Sequence, residues 1–375
     1  MTRDLSHSLA RSGEKSRGGA LDALRFAAAL LIVLYHYGSE APIALADLHP
    51  VFGRGYLATD FFLILSGFVL GRAYGGQILS GGIGMVAFLK KRLTRLWPAQ
   101  LIILATMLVI VAGAGLAGDH PGHPANFTPL GLVMQALMIQ AWGLPGGTGW
   151  NHPSWSLSAL VVCYAAFPLA WRWISRMTSP AALLALGLGA VMLGDLVCLQ
   201  LFHHTIYDLD FRLGVVRAAP LFLLGICIAR VVETGAPSVR MARVLAGVAF
   251  VVLIMLQVAG RLDLPSIVAI AAVVLGLGRL PVLRPSRLVE QGAKLSFALF
   301  VTHALTGLLW FGGLDLLTAH QTLAPWLHWS LWALSLPLSL VVAGLFHHVV
   351  DEPVQAWLAR RRIVRRTARD EPAAA

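Results

Sequence analysis

The chain has 375 residues, 57% of them hydrophobic and only 13% charged, with a mean hydropathy of +0.74. Soluble domains carry about 25% charged residues, so this balance excludes a water-soluble globular enzyme and marks an all-α integral membrane protein with short loops. The net charge of +11 reads as basic loops held on the cytoplasmic side. It does not read as a nucleic-acid surface, because no Lys/Arg stripe with interleaved aromatics lies outside the apolar segments.

In chain order, a polar tail (1–20) with no signal-peptide pattern precedes the first apolar stretch, LDALRFAAALLIVLYHYG. A span needs about 20 apolar residues to cross about 30 Å of hydrocarbon. On that measure the predicted spans are 21–38, 56–74, 97–116, 154–173, 181–202, 214–232, 244–260, 264–280, 295–317 and 327–350. The apolar piece at 129–142 is shorter and is expected to be re-entrant or interfacial. If it does not cross, most Lys and Arg residues fall on the cytoplasmic side, which predicts about ten transmembrane helices with both termini cytoplasmic. The domains expected are the tail 1–20, a membrane domain 21–353, and a basic tail 354–375 resting against anionic lipid. Cys163, Cys198 and Cys227 fall in apolar stretches without metal or disulfide spacing and are expected in the core.

Charged and titratable groups inside apolar helices are costly and usually functional. Arg25 and His36 share one face of the first helix, about 16 Å apart at 1.5 Å per residue. The second helix runs the opposite way and carries Asp60 near its start, at about the depth of His36. Asp60 is expected to orient the imidazole, as a general base requires. Its alternatives are to cap the helix or to pair with Arg54. Ser66 and Gly67 read as a close helix contact. Arg92 and Arg95 are neighbours on one face at the cytoplasmic edge of the third helix. They either mark topology or grip a phosphorylated cofactor. Pro98 is expected at the first turn of that span, where no internal donor is needed.

Several further groups stand beside these. Trp155, Ser156 and Ser158 lie at the outer end of a span and are either an interface anchor or a substrate site. His303 is either a polar contact between helices or part of a substrate path. Asp195 is a carboxylate deep in a span, and His203 and His204 read as loop residues. Asp119, His120 and His123 share an outer loop, but with no further ligand beside them no metal is expected.

The ordered set of motifs resembles the membrane-bound acyltransferase 3 family. It comprises R-x(10)-H at Arg25 and His36, DFFxxxSGF at Asp60–Phe68 and RxxR at Arg92 and Arg95 followed by Pro98. It continues with HPSWSLS at His152–Ser158, LSFALFVTH at Leu295–His303 and DEP at Asp351–Pro353. The resemblance covers nearly the whole chain. The departure is ALVVCYAAFP after WSLS, with Leu160 and Val161 where the family often carries a carboxylate.

The resemblance implies a bacterial inner-membrane protein that moves an acyl group, commonly acetyl, from cytoplasmic acyl-CoA to a hydroxyl. The acceptor it implies is a cell-surface glycan, glycolipid or related lipid-linked molecule. It further implies that Arg25 and His36 are essential and that Arg92 and Arg95 sit at the acyl-CoA end. His36 then either accepts the hydroxyl proton or carries the acyl group itself. The rival class, a transporter or flippase, predicts midplane carboxylates and broken helices in corresponding halves.

Overall fold

A computed structural model describes residues 19–118, 126–146, 149–319 and 323–370, with side chains described up to residue 361. Asp119, His120 and His123 and most of the N-terminal tail lie outside the described residues. The described chain is helical throughout. Its principal helices are α1 (Ala20–Tyr37), α2 (Tyr56–Leu79), α3 (Met85–Leu116), α4 (Pro129–Leu137), α5 (Trp155–Ile174) and α6 (Pro180–Phe202). They continue as α7 (Gly214–Glu233), α8 (Val239–Ala259), α9 (Asp263–Arg279), α10 (Arg287–Thr318), α11 (Pro325–Phe346) and α12 (Glu352–Asp370).

Among the described residues, nine helices are long and apolar enough to cross a membrane. At 17 residues, α9 falls just short of the usual length, yet it runs the depth of the bundle. Asp263 at its start meets Tyr56 at the head of α2. Arg279 at its end donates to the Gly235 and Pro237 carbonyls, at 3.3 and 3.1 Å, in the turn joining α7 to α8. The doubtful segment 129–142 forms only the nine residues of α4, too short to cross. Thr128 caps it by accepting from Gly131, and Met138, with φ 56°, closes it.

Helix directions agree with an α4 that does not cross. In α2 and α7, a Cβ on Gly67 would meet the Phe222 carbonyl oxygen at 2.1 Å, and one on Gly225 would meet that of Ile64 at 1.9 Å. These are backbone-to-backbone contacts that only glycine allows. Asp60 lies about two turns before the first contact and Arg217 about two turns before the second, so α2 and α7 run parallel. Parallel α2 and α7 require α3, α5 and α6 to alternate with no additional crossing. The expected packing role of Gly67 is thereby located, with α7 at the centre of the bundle against α2, α5, α6 and α9. On the other side α10 packs on α1, α11 and α3. Cys163, Cys198 and Cys227 are buried.

Two expectations about α3 change. The helix begins at Met85, well before 97, because the basic run leading into the apolar span is itself helical. Pro98 therefore sits inside the helix rather than at its first turn. Proline has no N–H, which frees the carbonyl four residues earlier, and that carbonyl belongs to Thr94. Gln355 of α12 supplies a donor there, its Nε2 reaching the Thr94 oxygen at 3.2 Å. The basic C-terminal segment expected as a tail thus begins as a helix docked on α3.

Candidate active site

At one end of the bundle, the C-terminus of α1, the N-termini of α2, α5 and α7, and Phe300 of α10 surround a cavity of about 760 Å³. His36, one residue from the end of α1, borders it. The His36 Nδ1 stands 3.0 Å from the Nε2 of His303 in α10, with the two rings stacked at a centroid distance of 5.0 Å. The other ring nitrogen of His303, Nδ1, lies 3.2 Å from the Leu299 carbonyl oxygen. Tyr37 anchors this junction. Its hydroxyl donates to the His303 carbonyl at 2.7 Å and stands 2.9 Å from the Ser339 hydroxyl of α11. His152 borders the cavity too, its ring edge-on to His36 at 6.5 Å.

Asp60 is not the partner of His36. It is fully buried and accepts two hydrogen bonds, each 2.8 Å, from Nε and Nη2 of Arg217. Planar guanidinium and carboxylate match as a fork, and a buried charge is tolerated only when paired this way. Arg217 also donates to the Tyr207 carbonyl at 3.1 Å and lies against the rings of Tyr56, Trp155 and Tyr207. Nor does Asp60 pair with Arg54, which donates to the Leu256 carbonyl at 2.5 Å.

The expected acceptor residues separate. Trp155 and Phe211 form an aromatic wall of the cavity. Ser156 and Ser158 do not line it. The Ser156 hydroxyl donates to the Pro153 carbonyl at 3.3 Å, while that of Ser158 donates to Met138 at 2.9 Å and accepts from Ala141 N–H at 3.2 Å. Buried hydroxyls near a helix start satisfy neighbouring backbone, and here they tie the chain after α4 to α5. His303 stands behind His36 rather than on the cavity surface.

The cavity rim is charged. Asp210 accepts from Arg212 through Nε and Nη2 at 3.1 and 3.0 Å, a grip that holds its carboxyl below the ordinary range. For Asp208 burial acts upward, but hydrogen bonds from Arg261 and Thr205 outweigh it and its carboxyl also titrates low. Both are therefore carboxylates at neutral pH. Arg261 bonds to Asp208 and Asp263, bridging the rim from the α6–α7 loop to α9.

The opposite end holds the other expected residues. Arg25 lies in the second turn of α1, its side chain 38% exposed and 3.3 Å from Asp22. Arg92 and Arg95 are neighbours along α3 but turn to different partners. The Arg95 Nη1 meets Asp351 at 2.5 Å, with the guanidinium 4.7 Å from the centre of the Phe297 ring. Arg92 lies 5.1 Å over the Tyr164 ring, and its buried Nε has no hydrogen-bond partner among the described residues. The DEP aspartate is thus what holds the second arginine of RxxR. Beside it, His347 and His348 on a π turn at His347–Asp351 and Glu352 at the start of α12 bring ligand atoms within 4.8 Å of one another. His348 and Glu352 are exposed.

The family model described as "Acyltransferase domain" matches residues 19–348. The chain belongs to the acyltransferase 3 family. This acyltransferase is 29% identical, over 92% of its length and 93% of the relative's, to "Acyltransferase MdmB" of Streptomyces mycarofaciens. It is also similar to "Protein 2 in picA locus" of Rhizobium radiobacter, at 34% identity over 46% of this chain and 91% of that protein. No solved structure matches it. It is a multi-pass membrane acyltransferase, acting on groups other than aminoacyl groups.

Two features of this acyltransferase's site escaped sequence reasoning. Arg217, near the start of the span 214–232, has the same signature as Arg25, a cation at the edge of an apolar run. The second is a buried amide cluster around the turn that carries His152. Asn151 donates to Gln100 at 2.9 Å, Gln100 and Gln140 each donate to the Ser154 hydroxyl at 3.0 Å, and Gln135 accepts from Asn151 N–H at 3.0 Å. Single Gln and Asn residues in apolar stretches were the available signal, since buried amides must find partners.

Proposed function

We propose that this acyltransferase moves an acyl group, acetyl first among candidates, from acyl-CoA to a hydroxyl of a glycan, glycolipid or related lipid-linked acceptor. We place it in a bacterial inner membrane, with the Arg92–Arg95 end facing the cytoplasm. The observation that carries the reading is the cavity bordered by His36, walled by Trp155 and Phe211 and rimmed by fixed charges. Aromatic faces and forked polar groups suit a polyhydroxylated ring, and a few well-placed polar groups orient a ligand. The CoA phosphates bind at Arg92 and Arg95, with Arg25 at the same end.

In the reaction, the acceptor oxygen attacks the thioester carbonyl and a C–O bond forms as the C–S bond breaks. His36 takes the hydroxyl proton and returns it to the CoA thiolate, so neither proton nor charge is left over. The transporter reading has less support, since Asp195 accepts from the Ile206 N–H at 2.9 Å and so closes a loop.

The test uses purified full-length protein in lipid nanodiscs with radiolabelled acetyl-CoA and a mixed envelope-glycan extract. Wild type transfers label to the extract, and His36→Ala lowers the rate by about 10²-fold or more. Equal transfer by wild type and His36→Ala overturns the proposal.

A further inference from the structure

His36 needs an orienting partner, and Asp60 is committed to Arg217. The residue in that place is His303, fully buried and on a different helix. Its hydrogen bonds decide the tautomers. The Leu299 oxygen is a carbonyl and only accepts, so the Nδ1 of His303 carries a hydrogen. On the neutral ring Nε2 then holds the lone pair and only accepts. Across the 3.0 Å contact the donor is therefore the Nδ1 of His36, which leaves the lone pair of His36 on Nε2, at the opposite edge of the ring. No carboxylate bonds to either ring among the described residues, so a proton on His303 would be an unpaired buried charge.

We propose that His303 is the positioning residue for His36: it accepts the Nδ1 hydrogen and holds His36 in the tautomer whose Nε2 lone pair serves the cavity. This rests on the reading of His36 as the base. The device is a neutral imidazole backed by a main-chain carbonyl, in the place where hydrolytic triads use a carboxylate. When His36 takes the acceptor proton on Nε2, its Nδ1–H bond to His303 becomes charge-assisted and strengthens. His303 itself neither gains nor loses a proton. Tyr37 keeps the register, since its hydroxyl holds the His303 carbonyl while its own backbone adjoins His36.

The experiment compares three substitutions in the nanodisc assay with acetyl-CoA and envelope-glycan extract. His303→Gln puts an amide oxygen near the place of Nε2. His303→Asn is shorter and reaches only to the place of Nδ1, and His303→Phe keeps the ring without an acceptor. The Gln variant is expected within about 10-fold of wild-type kcat, and the Asn and Phe variants about 10²-fold or more below it. The KM for acetyl-CoA should stay within about twofold in all three, because the lost bond serves the chemical step. Wild-type kcat in His303→Phe, or equal losses in Gln, Asn and Phe, overturns the positioning role. If His36→Ala is inactive while His303→Phe is active, only this inference fails; if His36→Ala is active, the base itself is wrong.

Discussion

Asp60 and Arg217 show how a single residue's role depends on its neighbour. Both side chains are buried, and their forked contact of two 2.8 Å hydrogen bonds ties α2 to α7 at the cavity end. Removing one partner leaves an uncompensated charge, at a cost of about 3–5 kcal/mol, whereas replacing both with apolar residues is often neutral. Asp60→Leu and Arg217→Met are each expected to lower the thermal midpoint of the solubilised protein strongly, and the double variant to recover most of the loss. A double variant as unstable as the worse single one would contradict the pairing. At this scale the sequence placed Asp60 at about the depth of His36. Depth does not choose between partners. Arg217, 157 positions away, wins because a forked ion pair satisfies a buried carboxylate more completely than one imidazole nitrogen does.

At the scale of the element, the crossing of α2 and α7 rests on glycines that admit no side chain. A Gly225→Leu substitution forces carbon into the space of the Ile64 carbonyl and should destabilise by about 3 kcal/mol or more. Gly76→Ala, in the same helix as Gly67 but with open space around it, serves as the control and should leave the unfolding midpoint unchanged. The α3–α12 contact is weaker and local. Gln355→Ala removes the hydrogen bond from its Nε2 to the Thr94 carbonyl, for an expected loss of about 1 kcal/mol read by chemical denaturation. Thr128, Ser179, Ser238 and Ser286 each cap a helix by accepting from a backbone N–H. The starts of α3 and α10 lie well before the spans read from the sequence, because hydrophobicity marks where a helix enters lipid and not where it begins.

On the scale of the whole molecule, the parallel pairs α2–α7 and α1–α10 place every cavity residue at one end and the RxxR–DEP contact at the other. A topology reporter fused after Gly149 should therefore report the same side as one after His204, and the opposite side from one after Gly82. On the proposed orientation the first two are periplasmic. Agreement between the Gly149 and Gly82 fusions would make α4 a true span and break the arrangement. Composition, apolar run length and the basic loops determined the class, the spans and the short α4, because lipid imposes length and polarity on each segment separately. The motif order similarly marked residues at both ends of the bundle. What only the tertiary structure decided is who meets whom: Asp60 with Arg217, Arg95 with Asp351, His36 with His303. These partners are distant in sequence, and a buried polar group takes whichever complementary neighbour the packing brings within about 3 Å.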